Sequence, residues 1–392
     1  MTWNDTMVKI GIDARLYSHT GVGTYLRNLL FYLEKKVTNT VFFYIYLLDE
    51  NYPTVHFKSS QFIKRAVSSR WHSFSEQIWF AKKIYEDRLD LMHFTYFSYP
   101  VLYRKKFIAT IHDVTPLFYK TGRASMKNPL TYEIKHQVFK FVIAEQVKNA
   151  HAIITPTKAV KKDLEKIYGQ NYSKKIYPIY EGIDYELINP NFPALPASQQ
   201  GEPAGRQFPV FKQITGLKPK MEDDSFFIYV GNFYPHKNVE RLIKAFARIK
   251  ERMKLILIGP ADFFSTYLLR LINELGQKDR ILFFHNPKRE ELVYFYKNAL
   301  ALVHPSLSEG FGLPIIEASY FKTPIIASDI DVFKELLKDK YISFNPLDED
   351  DMQKKMEFFL ERKLKIHSAH ILDKFSFEKM TEETFSLYKS SL

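Results

Sequence analysis

Residues 304–321, HPSLSEGFGLPIIEASYF, place two glutamates, Glu309 and Glu317, eight positions apart across a glycine-rich turn. An apolar run, Ala299 to Val303, comes before the stretch and reads as a strand. Pro314 comes just after the turn Glu309-Gly310-Phe311-Gly312, and proline suits the start of a helix because its missing N–H would be unsatisfied there anyway. The stretch therefore reads strand, glycine turn, helix. Free N–H groups at a helix start attract anions, yet the fixed charges here are carboxylates. A carboxylate beside an anion site serves to hold hydroxyls. Hydroxyls and phosphates occur together in a sugar nucleotide.

The same unit repeats outward. Beyond the stretch, Pro324–Ala327 and Tyr341–Phe344 read as strands, with Val332–Lys338 and Asp350–Lys363 as helices. Before and within it, strands at Phe226–Val230, Lys254–Ile258, Ile281–Phe284 and Ala301–Val303 alternate with helices at Asn238–Lys250, Phe263–Gly276, Lys288–Asn298 and Pro314–Tyr320. Residues 189–224, including NPNFPALPASQQGEPAGRQFP, break the alternation with Pro, Gly, Ser and Gln and read as a linker or excursion. Ahead of them Val8–Ala14, Val41–Leu48, Leu91–Phe97, Phe107–Val114 and Ala152–Pro156 read as strands, and Val22–Lys36, Phe74–Asp87 and Pro129–Asn149 as helices. Such alternation predicts parallel sheets covered by helices on both faces. The fold class is α/β: two Rossmann-like doubly wound domains, 1–190 and 225–372, facing a central cleft and joined through 191–224. Ligands of such sheets bind beyond the carboxyl ends of the strands.

A chain of 392 residues suits two domains. It has no cysteine, which excludes disulfides, thiolate metal sites and cysteine nucleophiles. No apolar run approaches the ~20 residues a membrane span needs. The N-terminus, MTWNDTMVKIGID, lacks a signal-peptide pattern, and Met7 is a second candidate start beside Met1. These features point to a cytoplasmic protein. Net charge is +12, unevenly spread: residues 1–190 hold 27 Lys and Arg against 17 Asp and Glu, residues 191–392 hold 29 against 27. An acidic partner would therefore meet the N-terminal half. There Lys58, Lys64, Arg65, Arg70, Lys82 and Lys83 accompany Phe57, Phe62, Trp71, Trp79 and Phe80, and YRKKF at 103–107 adds to them. Basic residues with aromatics suit an anionic membrane surface, so residues 57–107 are the candidate for peripheral attachment to the inner membrane face. An ordinary amphipathic helix with Trp79 and Phe80 in the core is the alternative. No nucleic-acid recognition motif appears.

Two further glycine turns join strand to helix. Gly21-Val22-Gly23 follows the first strand, and glycine lets an N–H approach phosphate closely. It is not GxGxxG, since Leu26 stands where the third glycine would be, and a plain strand–helix turn accounts for it equally. In FIYVGNFYPHKN, 227–238, Gly231 ends a strand and Lys237-Asn238 opens a helix. A lysine there opposes the helix dipole and calls for solvation or an anion, such as a phosphate.

Together these stretches resemble the retaining glycosyltransferases of GT-B fold in group 1, or family 4, and within them a mannosyltransferase-like subgroup. The resemblance covers most of the chain: GIDARLYSHTGVGTYLRNLL at 11–30, IHDVTPLFY at 111–119, AHAIITPTKAVKKDL at 150–164, IYEGID at 179–184, YVGNFYPHKNVERLIKAF at 229–246, PSLSEGFGLPIIEA at 305–318 and FSFEKMTEETFSLY at 375–388. It implies that Glu317 accepts hydrogen bonds from the nucleotide ribose and that Glu309 lies against the transferred sugar. Gly310, Phe311 and Gly312 would present N–H groups to sugar and diphosphate, with Leu313 beside them. Lys237 would neutralise the diphosphate next to Gly231 and Asn232, and Gly21 and Gly23 would let the N-terminal domain close on it. His112, with Asp113, would lie near the donor sugar. The last helix, within 373–392, would cross back onto the N-terminal domain. Many members have arginine where this chain has Asn232, so half of the usual Arg/Lys clamp is missing, with His236 and Arg241 as candidate substitutes.

The resemblance further implies an activity. A hexose such as mannose would pass from a GDP- or UDP-linked donor to a glycan or lipid-linked acceptor, with retention, in cell-surface polysaccharide or glycolipid synthesis. No cofactor and no metal would be required. A sugar leaving a nucleoside diphosphate leaves negative charge on phosphate, which fixed cations and N–H dipoles stabilise. Asp329-Ile330-Asp331 resembles a metal-binding DxD, but aspartate between strand and helix is a common cap. His304 reads equally as structural or as a ligand. Two rivals are a GT-B-fold sugar-nucleotide epimerase and a non-catalytic nucleotide-binding subunit. The set Glu309, Glu317, Lys237 and His112 favours the transferase, and Asn232 keeps the second rival open.

Overall fold

In the computed structural model, which describes residues 7–37, 39–119, 129–189, 225–362 and 374–392, the chain forms two parallel sheets. The first comprises β1 (Val8–Asp13), α1 (Val22–Lys36), β2 (Val41–Leu48), β3 (Phe62–Val67), α2 (Ala81–Glu86), β4 (Leu91–Phe94), β5 (Phe107–Thr110), α3 (Thr115–Phe118), α4 (Pro129–Asn149), β6 (Ala152–Thr155), α5 (Lys158–Tyr168), β7 (Ile176–Pro178) and α6 (Tyr185–Ile188). Its seven strands run in the order β3-β2-β1-β4-β5-β6-β7. The second comprises β8 (Phe226–Val230), α7 (Val239–Ala247), β9 (Lys254–Gly259), α8 (Phe263–Glu274), β10 (Ile281–His285), α9 (Arg289–Asn298), β11 (Ala301–His304), α10 (Leu313–Tyr320), β12 (Ile325–Ser328), α11 (Asp331–Leu337), β13 (Ile342–Phe344) and α12 (Glu349–Arg362). Its six strands run β10-β9-β8-β11-β12-β13. The central strands β4, β5, β6, β11 and β12 are buried at every residue, as strands covered by helices on both faces must be.

α13 (Phe377–Ser391) lies against α1. Its Phe377, Met380, Phe385, Leu387 and Tyr388 belong to the same core as Ile10, Leu26 and Phe43 of the first sheet, and Glu382 pairs with Lys36 at 2.7 Å. Ser376 caps the helix, its hydroxyl accepting from Glu378 N and Lys379 N.

Three readings of the first half change. β3 lies inside the stretch read as a basic surface: Phe62 is buried against Phe43, Lys64 donates to the carbonyls of Tyr52 and Val55, and Arg65 pairs with Asp87. The single helix expected at Phe74–Asp87 is a π-helical turn, Glu76–Phe80, followed by α2. The wider turn carries Glu76 inward, where it meets Arg15 at 2.6 Å and Ser98 at 2.7 Å. Phe80 is fully buried and belongs to the core, whereas Trp79 is 62% exposed. The linker expected at 191–224 lies outside the described residues.

Candidate functional site

β8 and β11 are neighbours where the second sheet reverses its order, and the loops leaving them meet there. The loop after β8 carries Gly231, Asn232 and Lys237; the loop after β11 carries Ser306 and Glu309. The two are stitched together. Leu307 N donates to His236 O at 2.8 Å, and the Asn238 amide donates to Pro305 O at 3.0 Å and Pro346 O at 2.7 Å. Asn238 has φ 60°, the left-handed region that asparagine tolerates, and it ends the 3-10 turn Pro235–Lys237 that aims Lys237 at the neighbouring loop.

Glu309 is the centre of that junction. Its Oε1 accepts from Lys237 Nζ at 2.6 Å, Ser306 Oγ at 2.7 Å and His304 Nε2 at 2.9 Å. Burial alone would raise its pKa, but Lys237 and His304 hold it well below the usual carboxylate range. Glu317, the fifth residue of the helix that follows, has a different environment. Its Oε2 accepts from Tyr296 Oη at 2.5 Å, and burial together with the charge of Asp184 pushes its pKa up to about 7 despite that bond. Two glutamates eight residues apart are thus set to opposite electrostatic states, one fixed as an anion and one poised near neutrality.

The Glu309-Gly310-Phe311-Gly312 turn reaches the first domain. A Cβ on Gly310 would stand 1.8 Å from the His112 carbonyl oxygen, so the two main chains touch. Thr157 Oγ1 donates to Gly310 O at 3.0 Å, and the Thr115 and Ser308 hydroxyls meet at 2.9 Å. Gly312 is the N-cap of α10, Phe311 is buried in the second domain's core, and Leu313 touches the cores of both domains. His112 follows β5, and its ring nitrogens face the Thr95 carbonyl at 3.0 Å and the Glu181 carboxylate at 3.1 Å. Asp113 accepts from Thr115 N at 2.8 Å; burial raises its pKa, opposed by the Thr115 bonds and by the charges of Lys237 and His112. Gly21 precedes α1 with φ 67°, a conformation that L side chains rarely adopt, and Gly23 is the second residue of that helix.

Asn232 stands in the loop after β8, between Gly231 and Phe233. Its side chain accepts from Tyr234 N at 3.4 Å and carries no charge to the site. Burial and Lys237 lower the pKa of His236, one of the two candidate substitutes, to about 4, with Glu309 opposing. Arg241 donates to Asn238 Oδ1 at 2.9 Å, beside Lys237. Asp329 pairs with Lys334 and Asp331 opens α11; among the described residues no group of three or more His, Asp or Glu is arranged to hold a metal ion. Four residues escaped the sequence reading. Glu181 and Asp184 sit in the quoted IYEGID, which marked the segment but not their roles. Ser306 carried no distinguishing signal, and Tyr296 is one aromatic among several on α9.

Two family descriptions match the chain: "Glycosyltransferase Family 4" over residues 19–187 and "Glycosyl transferases group 1" over residues 212–374. An O-antigen chain mannosyltransferase of Salmonella typhimurium is 30% identical over 62% of this chain and 58% of its own, and a glycosyltransferase of Methanocaldococcus jannaschii is 25% identical over 61% and 60%. The chain thus spans about three fifths of the length of these relatives. Among solved structures, a sucrose-phosphate synthase from Thermosynechococcus elongatus superposes with TM-score 0.72 at 18% identity, over 98% of both chains. HepE of Anabaena, in complex with UDP and glucose, superposes with TM-score 0.69 at 14% identity, over 98% of this chain and 100% of that one. The two matched segments fall one on each domain and the fold is GT-B throughout, so the chain belongs to the group 1 glycosyltransferases, in the part of that family similar to mannosyltransferases.

Proposed function

We propose that this protein is a retaining glycosyltransferase that moves a hexose from a nucleoside-diphosphate donor, GDP- or UDP-linked, to a glycan or lipid-linked acceptor in cell-surface polysaccharide or glycolipid synthesis. Similarity to O-antigen mannosyltransferases supports mannose as the hexose. The observation that carries the proposal is the placement of Lys237, Glu309 and Glu317 around one glycine turn at the β8/β11 switch point. In this reading residues 225–372 bind the donor, residues 1–190 face the acceptor and 373–392 cross back. Glu317 holds the ribose diol. Lys237 and the N–H groups of Gly310, Phe311 and Gly312 meet the diphosphate, with Leu313, Gly231 and Asn232 lining it and Gly21 and Gly23 closing from the other side. Glu309, His112 and Asp113 surround the sugar.

The bond from the sugar's anomeric carbon to the diphosphate oxygen breaks, and its electron pair stays on that oxygen. Lys237 stabilises the charge as it grows. The acceptor hydroxyl oxygen bonds to the same face of the anomeric carbon, and its proton passes to the departing phosphate. Nucleoside diphosphate is the second product, which makes the test direct: its release from UDP-, GDP- and ADP-hexoses, with and without acceptor.

Peripheral attachment to an anionic membrane is part of the proposal, through a smaller surface than residues 57–107 as a whole. Among the described residues no helix is long and apolar enough to cross a membrane. Phe74, Ile78, Trp79 and Leu102 point outward on the π-helical turn and its neighbour, 80%, 46%, 62% and 72% exposed, with the Lys82 side chain 66% exposed beside them. Apolar tips beside an exposed lysine fit the headgroup region, where each cation adds about 1 kcal/mol. The protein is expected to pellet with phosphatidylglycerol vesicles at low salt, and a Phe74→Ser/Trp79→Ser variant to stay in the supernatant. Wild-type protein that remains in solution at low salt points instead to a soluble acceptor.

A further inference from the structure

We propose that Tyr296 is the positioning residue of the nucleotide site: its hydroxyl fixes the Glu317 side chain and keeps it a carboxylate able to accept the ribose hydroxyls. The inference rests on reading Glu317 as the ribose-holding group and adds the residue that prepares it.

Tyr296 is held at both ends. Its ring is fully buried and stacks on Phe321 with centroids 5.6 Å apart and planes 15° apart. Its carbonyl accepts from Thr323 Oγ1 at 2.5 Å, which ties the last turn of α9 to the segment after α10. A ring fixed this way can aim its hydroxyl in one direction only, and the hydroxyl donates to Glu317 Oε2 at 2.5 Å. Burial and the nearby Glu317 charge keep the phenol far above its ordinary pKa, so it donates throughout the physiological range. One carboxylate oxygen is thereby anchored to the protein, and the group can still accept from a diol, because each oxygen carries two lone pairs.

The electrostatic setting explains why an anchor is needed. Tyr296 faces Glu317 from α9, and Asp184 faces it from the residue before α6; Lys297, the next residue on α9, lies over the Phe321 ring instead. The Asp184 carboxylate is itself bonded by the Asn28 amide at 2.9 Å and by Glu186 N at 3.1 Å. Burial and Asp184 both favour the protonated form of Glu317, bringing it to about 7, and the Tyr296 bond is what opposes them. The sign follows directly. Ribose binding that needs the carboxylate is present above about pH 7 and is lost as pH falls through that value. Removing the phenol hydroxyl moves the loss to higher pH.

The experiment is the affinity of GDP and UDP, by calorimetry from about pH 6 to about pH 9, for wild type, Tyr296→Phe and Glu317→Gln. Phenylalanine keeps the stack on Phe321 and deletes only the hydroxyl. Tyr296→Phe is expected to bind about five-fold more weakly near pH 7, to recover near pH 9, and so to show a midpoint raised by about one unit. Glu317→Gln is expected to bind more weakly at every pH and to lose the step. If Tyr296→Phe overlays wild type, or weakens equally at all pH values while Glu317→Gln still matters, the positioning role is overturned and the ribose reading stands. If Glu317→Gln binds as wild type does, the ribose reading itself fails.

Discussion

Replacing Lys237 with alanine is expected to lower turnover about a hundred- to a thousand-fold, the usual loss when one preorganised donor to a developing anion is removed. Lys237 and Glu309 meet at 2.6 Å with side chains 15% and 8% exposed, so neither is freely solvated. In the free protein the ammonium neutralises Glu309; in the proposed function it lies between that carboxylate and the diphosphate once donor binds. Alanine therefore has two effects. It withdraws the positive charge that the leaving phosphate needs, and it leaves the Glu309 charge with His304 and Ser306 alone, repelling the donor. The stranded charge also costs stability. The double variant Lys237→Ala/Glu309→Gln is expected to regain melting temperature without regaining turnover. Turnover of Lys237→Ala within a few-fold of wild type would show that the diphosphate is neutralised elsewhere, with Arg241 the nearest alternative.

Gly310→Ala is expected to be nearly as damaging, by a purely steric route. The added Cβ would lie 1.8 Å from the His112 carbonyl oxygen, and 2.8 Å from its carbon. Both atoms are main chain, so no side chain can swing away. Non-bonded contact needs about 3.5 Å, so the turn and the first domain must separate by more than an ångström. A misplacement of about that size between reacting groups costs roughly a hundred-fold. In the proposed function Gly310 gives one N–H to the diphosphate while Lys237 and Glu317 hold the nucleotide from the same domain, so affinity should fall modestly while turnover collapses. A variant that loses nucleotide affinity in proportion to turnover would mean the turn acts through donor binding alone and not also by closing the domains.

The sequence revealed the architecture where local pattern and tertiary environment agree. α1 and β2 have the bounds their apolar periods predict, because both are core elements whose buried faces dictate their composition. β3 was hidden because FIKRAV is an edge strand: among the described residues only β2 pairs with it, and its charged residues look like surface until Lys64 and Arg65 are seen bonded to neighbouring backbone and to Asp87. The π-helical turn at Glu76–Phe80 has no signature apart from its consequence, the burial of Glu76 under Arg15. In the site, Glu309, Glu317 and Lys237 were each readable from a glycine turn, but the pairing of Lys237 with Glu309, 72 residues apart, depends on two neighbouring strands and not on any motif. Gly310 and Gly312 look alike in sequence; only the fold distinguishes the one that touches His112 from the one that caps a helix. Tyr296 could not have been singled out, since Phe295 beside it is an aromatic buried on the same helix.

The measurement that bears most directly on the central claim is release of nucleoside diphosphate from a panel of UDP-, GDP- and ADP-hexoses by the wild-type protein. The proposed function predicts release from one nucleotide class above the rest, accelerated by a glycan or lipid-linked acceptor and matched by sugar appearing on that acceptor. Release that is absent for every donor, although the nucleotides bind, would make the chain a nucleotide-binding subunit without catalysis. Conversion of one sugar nucleotide into its epimer, with no diphosphate set free in the presence of acceptor, would contradict transfer altogether.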